Sequence, residues 1–270
     1  MKIDSLGNCP STLLPDPMRV DADSFRDYMN ATAQAGFDEV SLWAFHLMFA
    51  GPQAANAVLD SGLSVRAVEA AIRWTAGPSD AARAEVAGLV ETGSQFGARI
   101  VGAACLGPVD DRSAAADGLA MLAEVAATAD MVIALEFLPW AGVPTFSAAN
   151  DLVVASGADN ATVLIDAWHW VRQPGGPDLD LLRSVPGERV AYVQMCDPGP
   201  TPGEDLETEA MNDRRLPGAG TVDYASLWSA LDHIGSTPFV AAEVFNPAMT
   251  AKGAVPMAAA IHDACWLQLP

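Results

Sequence analysis

The sequence is poor in basic residues and has no long apolar run. Fourteen Lys and Arg stand against 34 Asp and Glu, which gives a formal net charge of −20. A field of that sign repels phosphate backbones and anionic lipid headgroups, so we expect neither nucleic acid nor membrane as a partner. The sequence contains no stretch of about 18 apolar residues, so it predicts no transmembrane helix. The segment Met1–Asp4 has an acid where a signal peptide needs an apolar run, so we expect a cytoplasmic protein.

Cysteine is also scarce, and none of the four cysteines belongs to a Cys-x-x-Cys pair. Scattered cysteines in apolar or strand-like surroundings indicate buried, reduced thiols rather than a disulfide framework. The four are Cys9, Cys105, Cys196 and Cys265.

Apolar residues, in contrast, are plentiful at 51%, and short apolar runs alternate with longer Ala-rich segments of helical period. This alternation is typical of a parallel sheet with helical crossovers. Eight strand–helix repeats in 270 residues predict one α/β domain over residues 1–270, a single (β/α)8 TIM barrel. The predicted strands are 2–6, 37–44, 63–69, 99–105, 131–137, 161–166, 190–196 and 239–245. The clearest helices are predicted at 24–35, 79–96, 113–128, 223–234 and 257–267. The stretch 198–220 is predicted to be a functional or mobile loop over the catalytic face.

Polar side chains interrupt four of the later predicted strands near their carboxyl ends. These are Glu136, Asp166, Gln194 and Glu243. A polar group in an apolar run costs several kcal/mol unless it is paired or binds a cation. Carboxylate and amide oxygens suit Mg²⁺ or Mn²⁺, with Co²⁺ and Zn²⁺ as alternatives, so the four predict a divalent-metal site.

His169 follows Asp166 by three residues, so its imidazole is predicted to face the same site. An ordinary alternative stays open for each residue taken singly. A strand-end acid is often a helix cap, and a histidine between Trp168 and Trp170 is often a packed, hydrogen-bonded side chain.

Several motifs in the carboxyl-terminal half resemble the xylose-isomerase-like barrels, a family that includes sugar-phosphate isomerases and epimerases, inosose dehydratases and 3-dehydroshikimate dehydratases. The motifs are Leu135-Glu136-Phe137, Asp166-Ala167-Trp168-His169, Val193-Gln194-Met195-Cys196-Asp197, 214–220 (RRLPGAG) and Glu243-Val244-Phe245. The resemblance implies that Glu136, Asp166, Gln194 and Glu243 bind the metal. It implies that Glu136 and Glu243 exchange protons with the substrate, that His169 is catalytic, and that Arg215 contacts the substrate.

The chain also departs from the family pattern. Many epimerases have a histidine where this chain has Gln194, and glutamine is more typical of the dehydratases. Ala219 replaces an acidic residue of the family's Pro-Gly-Glu-Gly segment. A further glutamate of the epimerases would fall near Gly142.

Aromatic residues and a second histidine cluster near the predicted strand ends and are predicted to line a substrate pocket. The predicted substrate-binding residues, besides Arg215, are Trp43, His46, Trp140, Trp168, Trp170 and Phe245. They could stack on a sugar face or enclose an aromatic substrate, or pack the top of the barrel. Gly218 and Gly220 support phosphate binding only weakly, so a non-phosphorylated substrate is preferred.

The leading functional hypothesis is a metal-dependent isomerase or epimerase that removes a proton alpha to a carbonyl of a polyol-like or aromatic-ring-bearing small molecule. The first alternative is a metal-dependent dehydratase of the 3-dehydroshikimate or inosose type. An alternative of another class is a non-catalytic barrel that binds a small molecule. A nuclease is disfavoured by the net charge. The resemblance also implies a homodimer.

Overall fold

The computed structural model describes all residues 1–270 and contains one closed barrel of eight parallel strands. Each strand pairs with the next along the chain, and the last pairs with the first. The strands are β1 Gly7–Asn8, β2 Glu39–Trp43, β3 Ser64–Ala71, β4 Ile100–Ala104, β5 Val132–Glu136, β6 Ala161–Asp166, β7 Val190–Met195 and β8 Phe239–Ala242. The predicted (β/α)8 barrel is therefore confirmed.

Twelve helices connect or follow the strands. They are α1 Ala22–Ala35, α2 Ala44–Ala50, α3 Gln53–Ser61, α4 Asp80–Phe96, α5 Arg112–Ala127, α6 Phe146–Ser156, α7 Ala167–Arg172, α8 Leu179–Ser184, α9 Leu206–Asn212, α10 Tyr224–His233, α11 Pro247–Thr250 and α12 Ala254–Trp266. None of them combines the length and hydropathy that a membrane span requires.

Polar caps explain where most of the long helices begin. The side chains of Asp21, Ser79 and Thr145 each accept a hydrogen bond from a backbone N–H of the first turn of the helix that follows. Such caps satisfy N–H groups that have no partner inside the helix. Gly36 ends α1 with a φ of 97°, a conformation that favours glycine.

The apolar core has two parts. The larger part fills the space between the sheet and the surrounding helices. The smaller part fills the inside of the barrel, where the rings of Tyr192 and Phe239 lie 4.8 Å apart. Its members are Ala67, Ile100, Ala134, Leu164, Tyr192, Phe239 and Ala241. The barrel is thus a filled core, and only its carboxyl end is left for polar groups.

The interior packing also corrects the position of the first strand, which was predicted at residues 2–6. In the structure only Gly7 and Asn8 pair with both neighbouring strands. A Cβ at Gly7 would lie 2.6 Å from the Phe239 ring. The first strand therefore lies at Gly7, where the absence of a side chain leaves room for the ring of Phe239 inside the barrel.

The predicted loop at 198–220 contains a helix, α9, which is a second correction. Asp205 caps this helix by accepting hydrogen bonds from the N–H groups of Glu207 and Thr208. The Pro and Gly residues on either side of α9 obscure its pattern in the sequence. All four cysteines are buried and unpaired, as predicted.

Two helical glycines allow a test of the packing between the helices and the barrel. A Cβ at Gly118 in α5 would lie 2.0 Å from the carbonyl oxygen of Trp74, whereas a Cβ at Gly88 in α4 would meet nothing within 4 Å. We expect Gly118→Ala to lower the free energy of unfolding by about 1–3 kcal/mol because the backbone must shift. Gly88→Ala should raise it by about 0.5–1 kcal/mol. Urea unfolding measures both, and equal effects of the two variants would contradict this packing.

Candidate active site

Five polar side chains form a ring at the carboxyl end of the barrel. Each lies two positions after an apolar residue of the barrel interior. Four of them are on strands, and Glu243 directly follows the end of β8. The pairs are Ala67 and Glu69, Ala134 and Glu136, Leu164 and Asp166, Tyr192 and Gln194, and Ala241 and Glu243. Because strand side chains alternate between the two faces, residues two apart point the same way. The strand period therefore carries all five side chains into the barrel interior.

Glu136, Asp166 and His169 are close enough to share one cation. The Nε2 atom of His169 lies 3.1 Å from Oε1 of Glu136 and 4.0 Å from Oδ1 of Asp166. One ligand atom from each of the three lies within 4.8 Å of the others. Two carboxylates and an imidazole form a donor set for a divalent cation.

Gln194 and Glu243 lie beside each other on β7 and just after β8. Nε2 of Gln194 donates a hydrogen bond to Oε1 of Glu243 over 3.1 Å. Oε1 of Gln194 is buried and has no hydrogen-bond partner, and neither has Nδ1 of His169. Buried acceptors are seldom left without a partner. An amide oxygen without a donor, on a side chain that contacts a buried carboxylate, fits the coordination of a hard cation.

Arg214 is the buried cation of the site. Its Nη1 atom donates to Oδ2 of Asp166 over 2.5 Å and to Oε2 of Glu243 over 3.0 Å. Nε of the same side chain donates to the carbonyl oxygen of Ala210 in α9 over 2.7 Å. The helix that sequence analysis missed therefore positions the guanidinium between two carboxylates.

The site holds more carboxyl groups than positive charges. Glu69, Asp166 and Glu243 are buried and Glu136 is half-buried, whereas Arg214 is the one guanidinium and pairs only with Asp166 and Glu243. Burial raises the pKa of Glu136 to about 8, and the charge of Asp166 adds to this effect. Burial also raises the pKa of Glu69 to about 7. A cation bound among these groups would relieve their repulsion and favour their ionised forms.

His169 adds no positive charge to the site. Burial lowers its pKa to about 4, so the imidazole is neutral at neutral pH. Its position follows from the local sequence, because Oδ1 of Asp166 accepts a hydrogen bond from the His169 N–H over 2.9 Å and caps α7. The rings of Trp140 and Trp168 lie 5.2 and 5.3 Å from the imidazole and meet it edge-on. Asp166 is thus both a helix cap and a member of the polar ring.

The other predicted aromatic residues fall into two groups. Trp43 lies 5.6 Å from the ring of Phe245 and 5.6 Å from that of His46, at the mouth of the barrel. Both ring nitrogens of His46 have protein partners, the hydroxyl of Tyr28 and the carbonyl oxygen of Pro17. Trp170 is buried and packs edge-on against Phe146 of α6.

Arg215, the predicted substrate-binding arginine, forms no ion pair with the ring of carboxylates, whereas Arg214 forms two. Its backbone forms a bridge with Asp197, and its guanidinium lies against Gly199. The Asp197 carboxylate accepts hydrogen bonds from the N–H groups of Gly218 and Val222 over 2.6 and 2.8 Å. These N–H groups are therefore already used within the protein rather than free for a phosphate.

Sequence analysis did not assign two members of the site, Glu69 and Arg214. Glu69 was placed at the end of the third strand, and the criterion applied to the later strands, a charge inside an apolar run, would have selected it. Arg214 and Arg215 are adjacent, and nothing in their order indicates which one pairs with the site carboxylates.

The chain is similar to known proteins both in sequence and in fold. The family described as xylose isomerase-like TIM barrel matches residues 29–268. An inosose isomerase of Bacillus velezensis is 32% identical over 138 residues, which are 50% of this chain and 48% of that protein. A 3-dehydroshikimate dehydratase of Pseudomonas putida is 28% identical over 137 residues, 50% of this chain and 21% of that protein. The chain thus aligns with about half or less of the length of these two relatives.

A solved structure extends the similarity over almost the whole chain. The crystal structure of a protein called IOLI, with a bound zinc atom, matches with a TM-score of 0.81 and 20% identity over 98% of this chain and 97% of that one. At this identity the match supports the fold alone. Together with the family match over residues 29–268, it leads to one conclusion. This chain belongs to the xylose isomerase-like TIM barrel family.

Proposed function

We propose that this protein is a divalent-metal-dependent isomerase or epimerase that removes and returns a proton alpha to a carbonyl group of a non-phosphorylated polyol-like molecule. The observation that carries the proposal is a pair of glutamates, half-buried Glu136 and buried Glu243, set apart from each other around one polar ring. Two strands, β6 and β7, separate them. A small molecule in the ring would therefore meet one carboxylate on each side.

The cation would be held by Glu136, Asp166, Gln194 and Glu243, with Mg²⁺ or Mn²⁺ as the preferred ions. Such an ion would polarise the substrate carbonyl and make the neighbouring C–H more acidic. The orphaned amide oxygen of Gln194 and the surplus of carboxyl groups support this ligand set.

Proton transfer is assigned to the two glutamates. Glu243 is held by Arg214 and Gln194 over 3.0 and 3.1 Å, which limits its side-chain freedom. Glu136 lies beside the neutral imidazole of His169, which can accept a proton from the glutamate or donate one to it. A positioned carboxylate of this kind typically contributes about 10²- to 10⁴-fold to the rate of a proton transfer.

The substrate class is taken from the chemistry of the site and from the relatives. The inosose isomerases suggest a cyclic polyol that carries one ketone, and the polar ring suits such a neutral hydroxyketone. Dehydration is the second candidate, because the same proton removal can expel a neighbouring hydroxyl group. The similarity to a 3-dehydroshikimate dehydratase favours this candidate. Protein assembly into a homodimer remains part of the proposal, with no interface assigned.

The cation can be tested through its effect on stability. In metal-stripped protein, the raised pKa values of Glu136 and Glu69 mean that the folded state binds more protons than the unfolded state. Stability should therefore fall as the pH rises from about 5 to about 8. We expect the melting temperature to fall by roughly 3 °C or more over this range, and added Mn²⁺ to reverse the loss.

The control for this experiment is Glu136→Gln, which removes one titrating group and one ligand. Its melting temperature should depend less on pH and should respond less to Mn²⁺. A flat pH profile of the wild-type protein, or no effect of Mn²⁺, would contradict the proposed site.

The reaction type can be tested with two cyclic hydroxyketones, an inosose and 3-dehydroshikimate, incubated with Mn²⁺-loaded protein in deuterated water. Isomerisation or epimerisation keeps every heavy atom of the substrate and replaces a hydrogen alpha to the carbonyl with deuterium from the solvent. Dehydration gives a product that has lost one water. Mass spectrometry separates the two. Binding of a compound with neither deuterium incorporation nor product would instead support the non-catalytic barrel.

The assignment of Glu243 can be tested by Glu243→Gln, which keeps the shape of the side chain and removes the proton acceptor. We expect turnover to fall by about 10²- to 10⁴-fold, measured with Mn²⁺ at a concentration that saturates the variant. The matched control is Glu39→Gln in β2, whose carboxylate pairs with Arg66 at 3.3 Å at the other end of the barrel. Wild-type turnover in Glu243→Gln would show that this glutamate is not the base.

A further inference from the structure

Glu69 is the only buried charged residue of the first four strands. These strands contain two other charged residues, Glu39 and Arg66, which form an ion pair with each other. Both lie at the amino-terminal side of the barrel, where Glu39 is in register with Gly7 and Ser64. Glu69 lies at the opposite end and is 6% exposed. The half of the barrel away from Asp166, Gln194 and Glu243 therefore presents a single charged group to the interior.

The surroundings of Glu69 hold its side chain in place. The hydroxyl of Ser41 in β2 donates a hydrogen bond to Oε1 of Glu69. On the other side, a Cβ at Gly102 in β4 would lie 2.7 Å from Cγ of Glu69. The missing side chain of Gly102 leaves the space that Glu69 fills. The carboxyl group is therefore fixed by its two neighbouring strands rather than free to turn outward.

Glu69 also has no positive partner. Arg214 pairs with Asp166 and Glu243, and none of the ion pairs of the chain includes Glu69. Glu69 follows the interior residue Ala67 by two positions, as Glu136 follows Ala134, so it faces the same polar interior as the proposed cation ligands. A buried carboxyl group in this position has capacity for hydrogen-bond donors, and hydroxyl groups of a bound molecule would supply them.

We propose that Glu69 determines substrate specificity by accepting hydrogen bonds from substrate hydroxyl groups on the side away from the cation ligands and by excluding substrates that carry a carboxylate or phosphate there. This inference rests on the proposed function, since it assumes that the substrate carbonyl lies at the cation. It adds the residue that would select neutral polyhydroxy ketones over anionic ones.

The charge of the surroundings gives this selection its direction. An anionic substituent next to Glu69 would meet like charge, and the one cation of β1–β4, Arg66, pairs with Glu39 at the other end of the barrel and cannot offset it. Such repulsion is an efficient way to reject a competitor. A hydroxyl group would instead form a charge-assisted hydrogen bond. Hydrogen bonds to charged groups correspond to about 10- to 100-fold in affinity.

The test compares an inosose, which is neutral, with 3-dehydroshikimate, which carries a carboxylate on a ring of the same size. Binding of each compound to the Mn²⁺-loaded protein is measured by isothermal titration calorimetry, so that the result does not depend on turnover. Two variants separate the two parts of the proposal. Glu69→Gln removes the charge, whereas Glu69→Asp keeps the charge on a shorter side chain. Glu39→Gln again serves as the control.

We expect the wild-type protein to bind the inosose at least tenfold more tightly than 3-dehydroshikimate. Glu69→Gln should lose about tenfold or more of its affinity for the inosose and should bind 3-dehydroshikimate more tightly than the wild-type protein does. Glu69→Asp should also bind the inosose more weakly but should still reject 3-dehydroshikimate. Glu39→Gln should match the wild-type protein. Where turnover is measurable, KM for the inosose should rise in Glu69→Gln with a smaller change in kcat.

Two results would overturn the proposal. One is a wild-type protein that binds neither compound, or that binds 3-dehydroshikimate at least as tightly as the inosose. The other is a Glu69→Gln variant with both affinities within twofold of wild type. Affinity for Mn²⁺, measured on the same samples, should change by less than about threefold in Glu69→Gln. If the wild-type protein does not bind Mn²⁺, the proposed metal-dependent function itself is wrong.

Discussion

The arrangement of this site depends on four carboxyl groups that crowd one end of the barrel with a single guanidinium. Glu69, Asp166 and Glu243 are buried and Glu136 is half-buried, and Arg214 contacts only Asp166 and Glu243. Like charges in such surroundings repel strongly unless protons or cations compensate them. The raised pKa of Glu136 and the unpartnered amide oxygen of Gln194 are two expressions of that imbalance. A bound divalent cation would relieve both.

The barrel makes this concentration of charge tolerable by separating it from the core. Apolar side chains fill the interior, and the polar ring begins one strand period after the last of them, which are Ala67, Ala134, Leu164, Tyr192 and Ala241. The large apolar cluster between the sheet and the helices supports the strands from outside. Repulsion among the carboxyl groups can therefore raise the free energy of the site without disrupting the apolar packing that positions them.

The ring is also asymmetric. The proposed cation ligands come from β5 to β8, whereas the first four strands contribute Glu69 and the small residues Ser41 and Gly102 around it. This division separates a half that would hold the reacting carbonyl from a half that would distinguish one substrate from another. The segment between β7 and α10 completes the half formed by β5–β8. In this segment α9 holds Arg214, and Asp197 fixes the turn at Gly218.

The sequence by itself determined the number of strands, the barrel class and the strand-end polar residues. These follow from local pattern, since a strand has a period of two and a charge in an apolar run stands out whatever its neighbours are. The same criterion reached Glu136, Asp166, Gln194 and Glu243, and it would also have reached Glu69. Only the tertiary structure decided that Arg214 rather than Arg215 pairs with the site carboxylates, that β1 lies at Gly7 and Asn8, and that α9 interrupts the long loop. Each of these depends on partners distant in the chain: the carboxylates of Asp166 and Glu243, the ring of Phe239, and the packing of the loop on the barrel.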